Sequence, residues 1–152
     1  MKRFGNSNAK YGARKVTYLG LVFDSTYERD RYIYLCDLQK KGKISNLKRQ
    51  VRFVLITPTK KVVPKQLKTK VKYVERTIEI QAVYHNDFVY IENGKYISEE
   101  FKSTATCKLP DYILRRKLMV KKIYDHNAKG RSQWVFREVV YYNKNKTIIT
   151  DK

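Results

Sequence analysis

The stretch YHNDFVYIENGKYISEEFK, residues 84–102, decides how this chain folds. Asn93-Gly94 lies between two apolar-rich runs, and Asn-Gly is the pair that a tight two-residue hairpin turn accepts, because both positions need positive φ. The turn predicts that residues 96–102 fold back along residues 83–91. Side chains on a strand alternate between faces, so Glu100 and Lys102 share one face while Glu99 and Phe101 take the other. Asp87, near the end of the first strand, is thereby brought close to Glu100.

Two carboxylates beside a lysine suit one kind of chemistry. A phosphodiester repels nucleophiles by its own charge, and a divalent metal neutralises that charge and acidifies a bound water. Mg²⁺ is commonly held by one or two carboxylates together with waters and substrate phosphate oxygens. A neighbouring lysine can orient or deprotonate the water, or stabilise developing charge. Asp87, Glu100 and Lys102 are therefore candidate catalytic residues, with Asp87 and Glu100 as metal ligands. A solvated, charged hairpin would carry the same acid-x-Lys triplet, so context has to decide between the two.

The context is electrostatic. The chain of 152 residues carries a formal net charge of +20, and such an excess of cations most often serves attraction to a polyanion, chiefly nucleic acid. Between Asp37 and Glu75 there is no acid, while twelve lysines and arginines fall there. Acids return around Asp87 to Glu100, which a metal-dependent nuclease needs and a simple DNA-binding protein does not. With 42% hydrophobic residues the chain can bury a core, which excludes a wholly disordered protein. No apolar run is long enough to span a bilayer, and residues 1–10 lack the apolar segment of a signal peptide, so a soluble intracellular protein without membrane partners is expected.

Outward from the hairpin, residues 1–14 read as a mobile basic arm, residues 15–143 as a single domain and residues 144–152 as a polar tail. Residues 16–23 predict a short hairpin around Leu19-Gly20, and Asp24-Ser25 a helix N-cap, with a helix from about Thr26 to Lys41 stopped by Gly42. Residues 47–56 read as a strand. Residues 57–68, with Pro58 and Pro64, read as an exposed loop unable to pair regularly. Residues 70–91 are strand-rich with a bend near His85-Asn86. Pro110 opens a second helix whose apolar side is read as Tyr112, Leu114, Leu118 and Met119, and a late strand covers residues 133–142.

Several cations are candidate phosphate contacts: Lys48, Arg49 and Arg52 on the strand after the first helix, and Arg115, Arg116, Lys117 and Lys121 on the second helix, where little acid balances them. Glu28 fits two roles. Ser25-x-x-Glu28 is a capping box, and the same side chain lies at the edge of the buried helix face, where it could serve a site. Cys36 and Cys107 lack zinc-ligand spacing and are expected as reduced thiols, and His85 and His126 are too few for a histidine-based metal site.

Five ordered blocks carry a resemblance: Phe23-Asp24-Ser25-x-x-Glu28-x-x-x-Tyr32, Gln50-x-x-Phe53, Tyr84-x-x-Asp87-Phe88-x-Tyr90, Glu100-x-Lys102-x-x-x-Thr106, and Leu114-Arg115-x-Lys117-Leu118. Together, over roughly residues 11–124, they resemble a phage-encoded family of unknown-function proteins related to the PD-(D/E)XK nucleases. The resemblance implies an α/β (α+β) fold with a restriction-endonuclease-like core, a mixed central β-sheet flanked by helices. It implies Asp87 and Glu100 as metal ligands, Lys102 as the catalytic lysine, and Glu28 as a first-helix carboxylate assisting metal or water. Gln50 and Thr106 join as DNA-contacting positions. Asn86 stands where the superfamily often has proline, and Ser103 where the phage family often has glycine.

The implied activity is Mg²⁺- or Mn²⁺-dependent hydrolysis of DNA in the cytoplasm of a bacterial host. Branched or Holliday-junction DNA is the substrate favoured by analogy, with a homodimer as the assembly that cuts two strands symmetrically. The alternative is a DNA-binding or host-inhibiting protein that has kept the nuclease fold without the activity.

Overall fold

Leu19 and Gly20 both take positive φ, 48° and 77°, and this turn joins β1 (Val16–Tyr18) to β2 (Leu21–Phe23) with Val16 opposite Phe23. Ser25 then caps α1 (Thr26–Lys40), its hydroxyl accepting from the Glu28 amide at 3.1 Å. The helix ends as the sequence predicts. Gly42 adopts φ 68°, its N–H donates to the Gln39 carbonyl, and the Lys43 N–H returns to the Leu38 carbonyl, which satisfies carbonyls that the helix end would otherwise leave open.

The computed structural model describes residues 15–143 and 146–152. Two compact units divide the chain, residues 1–47 and residues 48–152. The basic arm expected over residues 1–14 lies outside the described residues.

The second unit is built on a five-stranded sheet in the order β3 (Ser45–Ile56), β6 (Ala82–Glu92), β7 (Lys95–Ser103), β8 (Trp134–Asn143) and β9 (Lys146–Asp151). It is a mixed sheet: β6–β7 and β8–β9 are antiparallel, whereas β7 and β8 run parallel. Parallel neighbours need a crossover, and α2 (Pro110–Ala128) supplies it, with Pro110 in its first turn. With two α-helices and a mixed sheet among its elements, the chain is α+β. Tyr112, Met119 and Ile123 are the buried residues of α2. Met119 and Ile123 join Tyr84 and Phe136 in a core cluster, against which Phe53, Leu55, Val120 and Trp134 pack. Leu114, expected on the apolar side, is 60% exposed, because the buried spacing 112, 119, 123 turns position 114 away from the sheet.

The central hairpin forms as read. Asn93 (φ 50°) and Gly94 (φ 74°) make the two-residue turn, and Glu92 pairs with Lys95, Tyr90 with Ile97 and Phe88 with Glu99. Two other expectations are corrected. Residues 57–68 are not an unpaired loop: β4 (Thr59–Gln66) pairs along its length with β5 (Val71–Glu79) as a separate two-stranded ribbon. Pro64 is tolerated because each strand of such a ribbon keeps an open edge, where a missing N–H leaves no ladder bond unmade. The polar tail likewise contributes β9, whose Asp151 lies opposite Arg137 and binds its guanidinium at 2.7 Å.

Candidate active site

At Phe88–Glu99 the β6–β7 ladder ends, and two side chains take over hydrogen bonds beyond it. Asn86, fully buried, donates its side-chain N–H to the Glu99 carbonyl at 2.8 Å. Asp87 Oδ2 accepts from the Phe101 amide at 2.8 Å. The paired ladder thus ends at the point where the carboxylates are presented, with the Glu99 carbonyl and the Phe101 amide still satisfied.

Lys102 draws the site together. Its ammonium forms an ion pair with Glu100 Oε1 and a second, at 3.5 Å, with Asp87 Oδ2. Gln50 Nε2 reaches Asp87 Oδ1 at 3.4 Å from β3, where Gln50 itself adopts a positive φ of 49°. That conformation is uncommon for a residue other than glycine and asparagine. Asp87, Glu100 and Lys102 are therefore brought together, as the sequence predicts, and Gln50, expected as a DNA contact, joins them.

The electrostatics are those of two acids crowded out of water. Burial lifts the Glu100 carboxyl to about 7, the nearby Asp87 charge adds to the rise, and Lys102 opposes it. Asp87 is raised as well, again by burial, against the pull of Lys102 and the Phe101 amide. Burial disfavours the Lys102 ammonium, but the charges of Asp87 and Glu100 outweigh it and the group is held more firmly protonated. Glu100 Oε2 and the Tyr84 hydroxyl are both buried and interact with each other, short of a well-formed hydrogen bond. That interaction lowers the Glu100 carboxyl and adds to the rise that burial imposes on the phenol.

A second carboxylate cluster adjoins the first. Glu138 stands opposite Glu100 in the parallel β7–β8 register. It accepts from the Tyr112 hydroxyl at 2.7 Å and pairs with Arg116 at 2.9 Å and Lys152 at 2.6 Å. Burial pushes Glu138 up, but these donors together bring it below its ordinary value. The Tyr112 ring lies 5.8 Å from both Lys102 Nζ and the Arg116 guanidinium, within the reach of a cation–π contact. Glu138, Tyr112 and Tyr84 were not among the predicted site residues. One signal was present: in Trp134–Tyr142 a glutamate occupies an inward position between Phe136 and Val140.

On the opposite sheet face Glu99 is fully buried and accepts from the Tyr90 hydroxyl at 2.7 Å, and Arg137 donates to that hydroxyl at 3.1 Å. Glu28 is buried within the first unit, and its Oε2 accepts from the Asp24 amide at 2.9 Å, one residue before the cap. Among the described residues no group of three or more His, Cys, Asp or Glu side chains could hold a metal ion.

The predicted DNA-contacting residues divide. Lys48, Gln50 and Arg52 are exposed along β3, with Arg49 half-buried between them, and Lys117 is exposed on α2. Arg115 and Lys121 pair along the helix with Asp111 and Asp125. Arg116 is committed to Glu138. Thr106 ties the chain into a turn, its amide donating to Ser103 Oγ and its own Oγ1 accepting from the Ser103 amide. His85 is exposed, and His126 contacts Ser132 Oγ at 2.8 Å. Both cysteines are free thiols.

A family profile described as "Protein of unknown function (DUF1064)" matches residues 8–143. The chain belongs to that family. The matched span contains Glu28, Gln50, Asp87, Glu100, Lys102, Tyr112 and Glu138, so the DUF1064 region holds both carboxylate clusters apart from Lys152. The uncharacterized protein MJ0973 of Methanocaldococcus jannaschii is 31% identical over 80 residues, 53% of this chain. The match spans 19% of that archaeal relative's length. No solved structure matches. Among the described residues no helix is long and apolar enough to cross a membrane.

Proposed function

We propose that this DUF1064 protein is a metal-dependent deoxyribonuclease of the PD-(D/E)XK type. The observation that carries this reading is the convergence of Asp87 and Glu100 on Lys102. The donor set fits Mg²⁺ or Mn²⁺, since two carboxylates on one side leave the remaining positions to water and phosphate. Such an ion, when bound, would neutralise phosphate charge and acidify a water.

The chain's own residues have defined tasks in this reading. Asp87 is fixed by the Phe101 amide and oriented by Gln50, so one carboxylate is held at the end of the paired ladder without a flexible loop. Lys102 balances the two carboxylates before substrate enters and, once they are engaged elsewhere, is the nearest cation to a phosphate or to an attacking water. Glu28 serves as the assisting carboxylate in this proposal, and its bond to the Asp24 amide occupies one of its two oxygens. Lys48, Arg52 and Lys117 provide exposed positive charge for the phosphate backbone.

The test is cleavage of a panel of duplex, single-stranded, flap and four-way-junction DNA with Mg²⁺ or Mn²⁺. Activity abolished by chelation and by Asp87→Ala, Glu100→Ala or Lys102→Ala supports the reading, and full activity in Asp87→Ala removes it. Preference for the junction, with a dimer in sedimentation, would assign the resolvase class.

A second reading, a DNA-binding or host-inhibiting protein without catalysis, is favoured by one observation. Lys102 already pairs with both carboxylates, and among the described residues no group of three or more His, Cys, Asp or Glu side chains could hold a metal ion. Calorimetry with Mg²⁺, Mn²⁺ and Ca²⁺ in the presence of DNA separates the two, because only the nuclease requires an ion.

A further inference from the structure

The β4–β5 ribbon has a charge arrangement that its own stability opposes. In its register Lys61 lies directly opposite Arg76, and Lys65 directly opposite Lys72. Like charges facing each other across a strand pair repel and destabilise it. Residues 61 and 65 share a face, as do 72 and 76, so all four cations stand on one side of the ribbon, with Val63 opposite Val74 between them. Those two valines are half-buried, and the other ribbon residues are exposed. The reverse face is different: Lys60 pairs with Glu75 at 3.1 Å, and Pro64 faces Tyr73. Charge is thus balanced on one face and concentrated on the other.

A two-stranded ribbon with both faces in solvent is marginal by itself. Concentrated cations without acids on one face are the complement of a polyanion. The two cation pairs are four residues apart, or about 13 Å along the ribbon at a strand rise of about 3.3 Å. That spacing is close to the width of about 12 Å of a B-DNA major groove. The corresponding groove of an RNA duplex is narrow and deep.

We infer that the β4–β5 ribbon is a clamp for duplex DNA, its Lys61/Arg76 and Lys65/Lys72 pairs holding the phosphate rows on the two walls of one major groove. Val63 and Val74 then face the groove itself. The inference rests on the nucleic-acid part of the proposed function and is independent of cleavage.

The experiment compares full-length wild type with a ribbon variant, Lys61→Thr, Lys65→Thr, Lys72→Thr and Arg76→Thr. The control variant carries equal charge loss at Lys40, Lys43, Lys108 and Lys129, each changed to Thr. Binding to a B-form DNA duplex is measured by fluorescence anisotropy across a salt series, beside an RNA duplex of the same sequence. The ribbon variant is expected to lose roughly 10²-fold in DNA affinity, with a log–log salt slope shallower by about 2–4. The control should lose less than a third as much on the logarithmic scale. Thr keeps strand propensity, and removal of the facing cations should leave the melting temperature equal or higher.

Hydrogen exchange on wild type supplies a second measurement that needs no variant: DNA should protect amides of residues 60–79. Equal affinity and slope in the ribbon variant, equal losses in the control, stronger binding to the RNA duplex, or no protection of the ribbon each overturns the inference. So does a wild-type dimer that the ribbon changes convert to monomer while DNA affinity stays the same, which would make the ribbon edge a site for a second copy. An inactive protein that still clamps duplex removes the nuclease reading alone, and an active one whose ribbon variant binds normally removes this inference alone.

Discussion

Glu100 and Glu138 stand directly opposite each other on neighbouring parallel strands, yet each has its own cations: Lys102 for Glu100, and Arg116 with Lys152 for Glu138. Two buried carboxylates at adjacent register positions would repel strongly if they shared one neutralising group. The separation gives them different properties, since Glu100 is raised to about 7 while Glu138 is lowered.

Stability should therefore depend on Glu138 through its partners. Glu138→Ala leaves Arg116 and Lys152 without their anion and the Tyr112 hydroxyl without its acceptor, and is expected to cost about 3–5 kcal/mol. Lys152→Ala removes one exposed-side partner while Arg116 and Tyr112 remain, so about 1 kcal/mol is expected. Urea unfolding checks the order, and a larger loss for Lys152→Ala would contradict it.

The pH dependence has a definite sign. Glu100 holds its proton more tightly folded than unfolded, so between the ordinary glutamate value and about 7 the native state binds more protons. Its contribution to stability therefore falls as pH rises through that window. Metal-free wild type should on this account melt higher at pH 5.5 than at pH 8. Glu100→Gln should flatten that slope and raise the pH 8 melting temperature by a few degrees. A steeper slope in the variant would show that another group controls the window.

Lys102→Met should distinguish a metal site from a plain ion-pair network. Without the ammonium the two carboxylates face each other uncompensated, and metal-free stability should drop by about 3–5 kcal/mol. Mn²⁺ should restore part of the loss, because binding to the native state stabilises it by mass action. Thermal melts with and without Mn²⁺ read this directly, and a melting temperature unmoved by millimolar Mn²⁺ would mean that the pair holds no ion. Cleavage should be lost in either case.

Glu28→Gln separates the cap from the chemistry. The amide oxygen of Gln can still accept from the Asp24 N–H, so the melting temperature should shift by no more than about 1 °C. The cleavage rate should fall by about 10²-fold or more if the carboxylate assists the reaction. Wild-type cleavage at limiting metal would reduce Glu28 to its capping role.

How much of this was legible in the sequence depended on distance along the chain. The Asn93-Gly94 turn carries its own conformational signal, and strand parity then places Glu100 and Lys102 on one face, so three site residues follow from nineteen consecutive positions. Glu138 and Tyr112 join only through the β7–β8 register and the crossover of α2, which no local pattern specifies. The β4–β5 ribbon was missed for a different reason. Most of its residues face solvent, so there is no apolar alternation to read, and its lysines and Pro64 resemble those of a loop. Strict parity from Phe88 would send Tyr84 to the other face, yet it belongs to the core cluster with Phe136. The bend read near His85-Asn86 lies between the two.

The bond from the Phe101 amide to Asp87 Oδ2 makes that amide a built-in sensor. A ligand that draws on Asp87 changes the charge that this amide faces, and the amide then reports it without any attached probe. In an amide NMR spectrum of the uniformly ¹⁵N-labelled protein, titration with a divalent ion or an oligonucleotide would move the Phe101 resonance as Asp87 is engaged. Occupancy of the carboxylates can thus be followed whether or not the protein turns over a substrate.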